Sequence, residues 1–205
     1  MPMCPHASPA RSTQRGALFG LDARIALAIF GLLSVVAGAS MVLNLDESRA
    51  KGLVAELVDT ARAVEAYHED LRTDIFQSLT EPTESRAFQA LFDNAVITEA
   101  DNLRARWNGP YVKTTSVRSN NYGEMSIQKR GPNHAQPCDP EGLCFLWLVY
   151  SQVKPSLMKE ANKLIDPEAE RDPQTMGRLQ WSQSEDSFQT LYFRAAKALS
   201  PITLQ

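Results

Sequence analysis

Ile25 to Leu43 reads IALAIFGLLSVVAGASMVL, 19 residues without a charge. A helix rising about 1.5 Å per residue covers about 28 Å over that length, close to one hydrocarbon core. Two other readings stay open. A secretory signal has a shorter apolar region, about 7–15 residues, and ends at small residues, which Ala37, Gly38, Ala39 and Ser40 imitate. A buried helix of a soluble core is the second alternative. The length and the absence of charge favour a single membrane span over 25–43.

The flanks orient it. Arg11, Arg15 and Arg24 precede the run with only Asp22 against them, and Asp46 and Glu47 follow it. The positive-inside rule keeps residues 1–24 in the cytoplasm as a leader and exports the rest. Past residue 24 the chain holds 18 basic and 23 acidic residues, a net −5. Small residues recur inside the run at Gly31, Ser34 and Gly38. Ser34 and Gly38 are four apart, on one face, where two helices approach closely.

The remainder of the 205 residues is ordinary in composition. Apolar residues are 43%, charged residues 22%, glycines 10 and prolines 12, which excludes collagen-like, mucin-like and wholly disordered chains. The slightly negative mean hydropathy excludes a polytopic membrane protein. A net charge of −3 supplies no basic surface for nucleic acid.

Residues 44–79 extend the helix. Glu47 to Leu79 contains no proline and only Gly52. Ala50, Val54, Leu57, Ala61, Val64, Leu71 and Ile75 form a stripe at alternating steps of four and three, with His68 in its one gap. Such a stripe must lie on something. Packing on the rest of this chain is favoured over a coiled-coil dimer, because the alanines are weak seam residues and a large domain follows. His68 reads as a packed residue, since His68-Glu69-Asp70 lacks the second histidine of a zinc helix.

Residues 80–205 form an exported α+β domain. Pro82 breaks the helix, and a shorter one is predicted from Glu84 to about Asn94. Asn108-Gly109-Pro110 is a turn, with a strand expected from Tyr111. A second turn covers Ser119 to Gly123, followed by a strand over Met125 to Lys129. Arg130 to Pro137 is a polar loop. Phe145 to Val153, FLWLVYSQV, is the clearest buried strand. Lys154 to Ile165 is helical, with Pro155 in its first turn. Met176 to Trp181 and Leu191 to Arg194 are short strands, and the role of the 182–205 segment is open. The fold class is α+β: a long N-terminal helix beside a small, mainly antiparallel sheet.

Of three cysteines, Cys4 lies in the leader, and Cys138 and Cys144 enclose Asp-Pro-Glu-Gly-Leu. On the exported side such a pair is expected to oxidise. Metal binding with His134 is the rival, short of the four ligands of a structural zinc site. No nucleophile elbow, phosphate loop, zinc helix or Cys-His couple is present, so no catalytic residue is nominated and an enzyme is not expected.

The order of features resembles type IV pilin-like proteins, in particular the pseudopilins of type II secretion systems and related minor pilins. The resemblance rests on a basic leader ending in glycine, an uncharged helix that turns amphipathic, and Trp107-Asn108-Gly109-Pro110-Tyr111. Ile165-Asp166, the acidic loop after it and Gly177-Arg178-Leu179 complete it. The likeness covers most of residues 16–181. It implies a bacterial structural subunit, cut by a prepilin peptidase after Gly20 to leave Leu21 as the new terminus. It also implies inner-membrane insertion with a periplasmic domain, and assembly with other pilin-like subunits into a periplasmic or extracellular filament. Where the family carries Glu at position five, this chain has Ile25, which fits a minor tip subunit, an unprocessed relative or a likeness of architecture alone. The resemblance also raises calcium, for which Asp166, Glu168, Glu170 and Asp172 offer oxygen ligands; a solvated acidic loop is the favoured reading. The alternative function is a membrane-tethered periplasmic binding or sensor domain that does not polymerise.

Overall fold

A computed structural model of the chain describes residues 16–139, 143–167, 172, 175–182 and 187–199, with the side chains of 16–21 and 39–44 outside the description. The chain divides into two compact units, Met1–Asn44 and Leu45–Gln205.

In the first unit the described backbone belongs to helix α1, which runs from Gly16 to Leu71 and continues into the second. Among the described residues no helix is long and apolar enough to cross a membrane. The described side chains of the apolar run stop at Gly38, so residues 39–43 of the expected span lie outside that statement.

The second unit is built on a five-stranded antiparallel sheet. Its strands are β1 (Arg118–Ser119), β2 (Gly123–Arg130), β3 (Phe145–Val153), β4 (Leu179–Trp181) and β5 (Gln189–Lys197), in the order β1-β2-β3-β5-β4. Helices α2 (Glu84–Gln89), α3 (Leu103–Arg106) and α4 (Pro155–Ile165) complete it. Alternation along each strand sends every second side chain to one face. The register turns that alternation into continuous apolar rows. Ile127 pairs with Leu148, Leu148 with Phe193 and Phe193 with Leu179. Met125, Tyr150, Leu191 and Trp181 form the next row in the same way. All eight side chains are buried. Between β1 and β2 the chain turns through Gly123, whose φ of 75° is left-handed and where a Cβ would meet Ser151 Oγ at 2.6 Å.

From α1, Ala50, Leu53, Leu57, Ala61, Val64, Tyr67 and Leu71 join the same core cluster. The stripe therefore lies on this chain's own domain, as expected, with Leu53 fully buried and Val54 only partly buried against the core. From α4, Leu157, Met158 and Ala161 are buried. Pro155 occupies the first turn, where its missing N–H breaks no helical bond.

Four expectations need correction. The long helix stops at Leu71 rather than Leu79. Arg72 takes a left-handed φ of 52°, and the Asp74 carboxylate caps Phe76 N at 3.0 Å to start a separate 3-10 turn over Ile75–Gln77. The next helix is shortened to Glu84–Gln89, because Asp93 Oδ1 accepts from Ala95 N and begins another turn at Asn94. No strand forms at Tyr111: its N–H donates to Leu91 O at 2.8 Å, outside any sheet ladder. The last strand is nine residues long, not four, and sits inside the sheet between β3 and β4.

Candidate assembly site

The apolar run presents its side chains to solvent. Leu27, Phe30, Leu32 and Val35 are each at least 70% exposed, and Ile25, Ile29, Leu33 and Val36 more than half. A contiguous apolar surface of this kind marks a contact with lipid or protein. Gly31 and Gly38 face open space, with no atom within 4 Å of where a Cβ would sit. Ser34 Oγ donates back to Phe30 O at 2.7 Å, so its hydroxyl is satisfied within the helix. Gly31, Ser34 and Gly38 are thus available for close approach. Gly20 lies within α1, and the side chains of Gly20 and Leu21 fall outside the description.

Within the domain, polar contacts tie the end of α1 to the turn that follows it and that turn to the sheet. Tyr67 OH meets Ser78 Oγ at 2.5 Å, and Ser78 donates to Ile75 O at 2.6 Å. Burial, foremost, pushes the Tyr67 phenol up to about 12. Asp74 has a fully buried side chain, and Lys129 Nζ pairs with its Oδ2 at 2.9 Å. His68 is 9% exposed, and its Nε2 finds no hydrogen-bond partner among the described residues. Burial pulls the His68 pKa down and Lys129 adds to that, while Asp74 and Glu65 oppose it. His68 is therefore a packed side chain whose burial favours the neutral form, as its place in the stripe suggested.

The Trp107–Tyr111 turn docks on α1 through Tyr111 and on the end of α2 through Trp107. Trp107 Nε1 donates to Ala90 O at 2.9 Å, and Tyr111 OH donates to Asp70 Oδ2 at 2.6 Å. The Tyr111 ring meets Tyr67 and Trp107 edge to face. The Gly109–Pro110 peptide is cis, and a Cβ at Gly109 would come within 2.8 Å of Trp107 ring carbons. Partial burial and the Asp70 hydrogen bond raise the Tyr111 pKa.

A cleft of about 660 Å³ opens beside this turn, with Thr60, Ala63 and Phe88 among its walls and Glu56 and Lys113 at its polar edges. Glu56 is exposed on α1, yet its Oε1 accepts from Tyr150 OH at 3.2 Å. Desolvation of the carboxyl there raises its pKa, and the Tyr150 bond pulls the other way.

On the far face of the sheet, the 131–137 loop is laid over β3 and β5. Trp147 Nε1 donates to Gly131 O at 3.1 Å. The His134 ring stacks on Tyr192 at 4.2 Å, and Gln180 Oε1 lies 2.9 Å from its Nδ1 and 3.0 Å from its backbone N. Cys138 and Cys144 stand at disulfide distance, with Cα atoms 5.3 Å apart. Among the described residues no three His, Cys, Asp or Glu side chains converge as metal ligands. Asp166 Oδ2 instead accepts from Arg178 N and Leu179 N, both at 3.0 Å. Glu168 and Glu170, also considered for calcium, lie outside the described residues.

Sequence reasoning missed Asp74, Glu56 and the His134–Gln180 pair. Only Asp74 carried a local signal, an Asp two residues before the N–H it caps. Compared with family models, with curated proteins and with solved structures, the chain matches none.

Proposed function

We propose that the chain is a non-catalytic structural subunit of a pilin-like filament or secretion pseudopilus, assembled through its N-terminal helix. The observation that carries this reading is the division of labour along one helix of 56 residues. Residues 25–36 expose large apolar side chains, whereas the stripe from Ala50 to Leu71 is spent on the domain's own core. The unspent apolar face needs lipid before assembly and like helices after it. Gly31, Ser34 and Gly38 supply the close-approach face, and Cys138–Cys144 fastens the outer domain. Gly20–Leu21 is the proposed processing point, with a prepilin peptidase as the enzyme that acts there. The inner membrane and the periplasm are the proposed locations.

The cleft beside Tyr111 favours a second reading, a tethered binding domain that stays monomeric. Intact mass and N-terminal sequencing of the protein from its native membrane separate the two. A chain beginning at Leu21 is expected for the subunit. A chain beginning at Met1 or Pro2 supports the tethered domain, and a start near Met41 identifies the apolar run as a cleaved signal and overturns both.

A further inference from the structure

The cleft beside Tyr111 lies wholly within the second unit, and its two walls can be ordered end to end. Tyr111 OH is bonded to Asp70, near the end of α1. Further along the chain, Val117 O accepts from Met125 N, and Met125 pairs with Tyr150, whose hydroxyl reaches Glu56. The 111–117 segment therefore runs antiparallel to α1, with the cleft between them. Glu56 stands at one end of the cleft, and Lys113, which follows Tyr111 closely, stands towards the other. From Glu56 to Ala66, the span of α1 that lines it, a helix rises about 15 Å.

The charges that line the cleft are Glu56, Asp59, Arg62 and Lys113. Asp59 and Arg62 neutralise each other across 3.2 Å. Glu56 and Lys113 belong to no ion pair among the described residues. The buried Tyr150 orients the Glu56 carboxylate by its hydrogen bond. Desolvation raises the pKa of that carboxyl, the direction expected of an acid with no cation beside it. Between the two charges the surface is apolar, with Phe88, Val112, Ala63 and Ala66. The alanines leave room that larger side chains would fill. A mainly apolar hollow of about 660 Å³ with a few placed polar groups has the usual form of a small-ligand site. One acid and one base at opposite ends complement a ligand with a positive head, an apolar body and a negative tail.

We propose that this cleft binds a short apolar peptide of three or four residues with free ends, its ammonium on Glu56, its side chains over Phe88 and the alanines, and its carboxylate towards Lys113. An extended chain covers about 3.3–3.6 Å per residue, so four residues span about 13–14 Å, close to the length of the helical wall. The inference rests on the cleft being a binding site, as in the second reading above. It needs neither the anchor nor assembly through the apolar run, which N-terminal sequencing tests separately.

The test is isothermal titration calorimetry of the full chain in nonionic detergent with the tetrapeptide Ala-Leu-Leu-Ala. One peptide is expected to bind per chain. Acetylating its N-terminus, or the Glu56→Gln substitution, should weaken binding about tenfold. Amidating its C-terminus, or Lys113→Gln, should weaken it about threefold, because Lys113 is exposed. Lys159→Gln, an exposed change on α4 away from the cleft, should leave it unchanged. Gln at position 56 keeps an acceptor for Tyr150, and circular dichroism checks the fold of each variant. The modified peptides probe both ends on the wild type, so the test does not hang on any variant folding. Absence of binding by the free peptide overturns the proposal and removes the cleft as a peptide site. Equal binding of the acetylated peptide overturns the role of Glu56. Equal binding of the amidated peptide also overturns the proposal and identifies the ligand as the N-terminus of a longer chain.

Discussion

Tyr111 and Asp70 stand 41 residues apart, and the phenol of one donates to the carboxylate of the other over 2.6 Å. The same phenol oxygen accepts from Asn108 N at 3.1 Å. One hydroxyl therefore closes the Trp107–Tyr111 turn on itself and fastens it to the last turn of α1. Removing it in Tyr111→Phe keeps the ring contacts with Tyr67 and Trp107 and deletes both bonds. A hydrogen bond to a charged group contributes about 1.5–3 kcal/mol, so a loss of about 2 kcal/mol is expected in urea unfolding. A double-mutant cycle with Asp70→Asn should recover most of it as coupling; additive losses would mean that the two groups act independently.

His68 gives the domain a pH dependence of definite sign. Burial depresses its folded pKa below the ordinary 6.5, so the unfolded chain binds the extra proton first as pH falls. Its contribution is fully present above pH 6.5 and is lost as the pH drops through the folded pKa. The urea midpoint of the wild type should fall between pH 7 and pH 5 more steeply than that of His68→Phe. Parallel profiles would remove His68 as the cause.

Lys129 compensates a carboxylate with no access to solvent. In Lys129→Met the Asp74 side chain stays buried with only its bond to Phe76 N. Breaking a buried pair costs about 3–5 kcal/mol, and the partial exposure of Lys129 reduces this to about 2 kcal/mol. Arg130→Met breaks a looser, more exposed pair with Glu84 at 3.9 Å and should cost under about 1 kcal/mol. Equal losses would show that burial of Asp74 does not matter.

Gly38→Leu separates assembly from folding. No atom lies within 4 Å of where a Cβ would sit at Gly38, and Gly38 belongs to the first compact unit, so the melting temperature of the domain should not move. Close helix packing should fail, and cross-linking in the native membrane should lose the higher species. Unchanged cross-linking would exclude close approach at Gly38.

The Cys138–Cys144 bridge closes a loop of seven residues, for which chain entropy gives about 2 kcal/mol. Reduction should lower the thermal midpoint modestly without abolishing folding, since Trp147 and His134 hold the 131–137 loop independently. Complete unfolding on reduction would contradict that independence.

The elements legible in the sequence were those whose signal is local. Phe145 to Val153 is a dense apolar and aromatic run, and its strand begins and ends where the run does. Pro155 and the spacing of Leu157, Met158 and Ala161 fixed α4. The end of α1 was not legible: the chain turns there on a left-handed arginine and a capping aspartate, with no glycine or proline to announce it. Tyr111 misled for the opposite reason, because a β-prone sequence spends its N–H on a carbonyl 20 residues earlier. For the candidate site, the small residues of the apolar run were visible as spacing. Asp70–Tyr111 and Asp74–Lys129 join positions 41 and 55 residues apart, and no pattern along the chain announces such pairs.

The two margins of the sheet are brief. β1 is two residues long and β4 three, so neither offers a length of free backbone on which another copy could stack. A protein that works by polymerising is exposed to the hazard of polymerising wrongly, through strand addition into cross-β aggregates. If the chain polymerises as proposed, short rims narrow that route and leave the apolar helix as the channel for self-association. On this view the shortness of β1 and β4 is a safeguard of order, by which a crowded pool of subunits stays competent to build one kind of polymer.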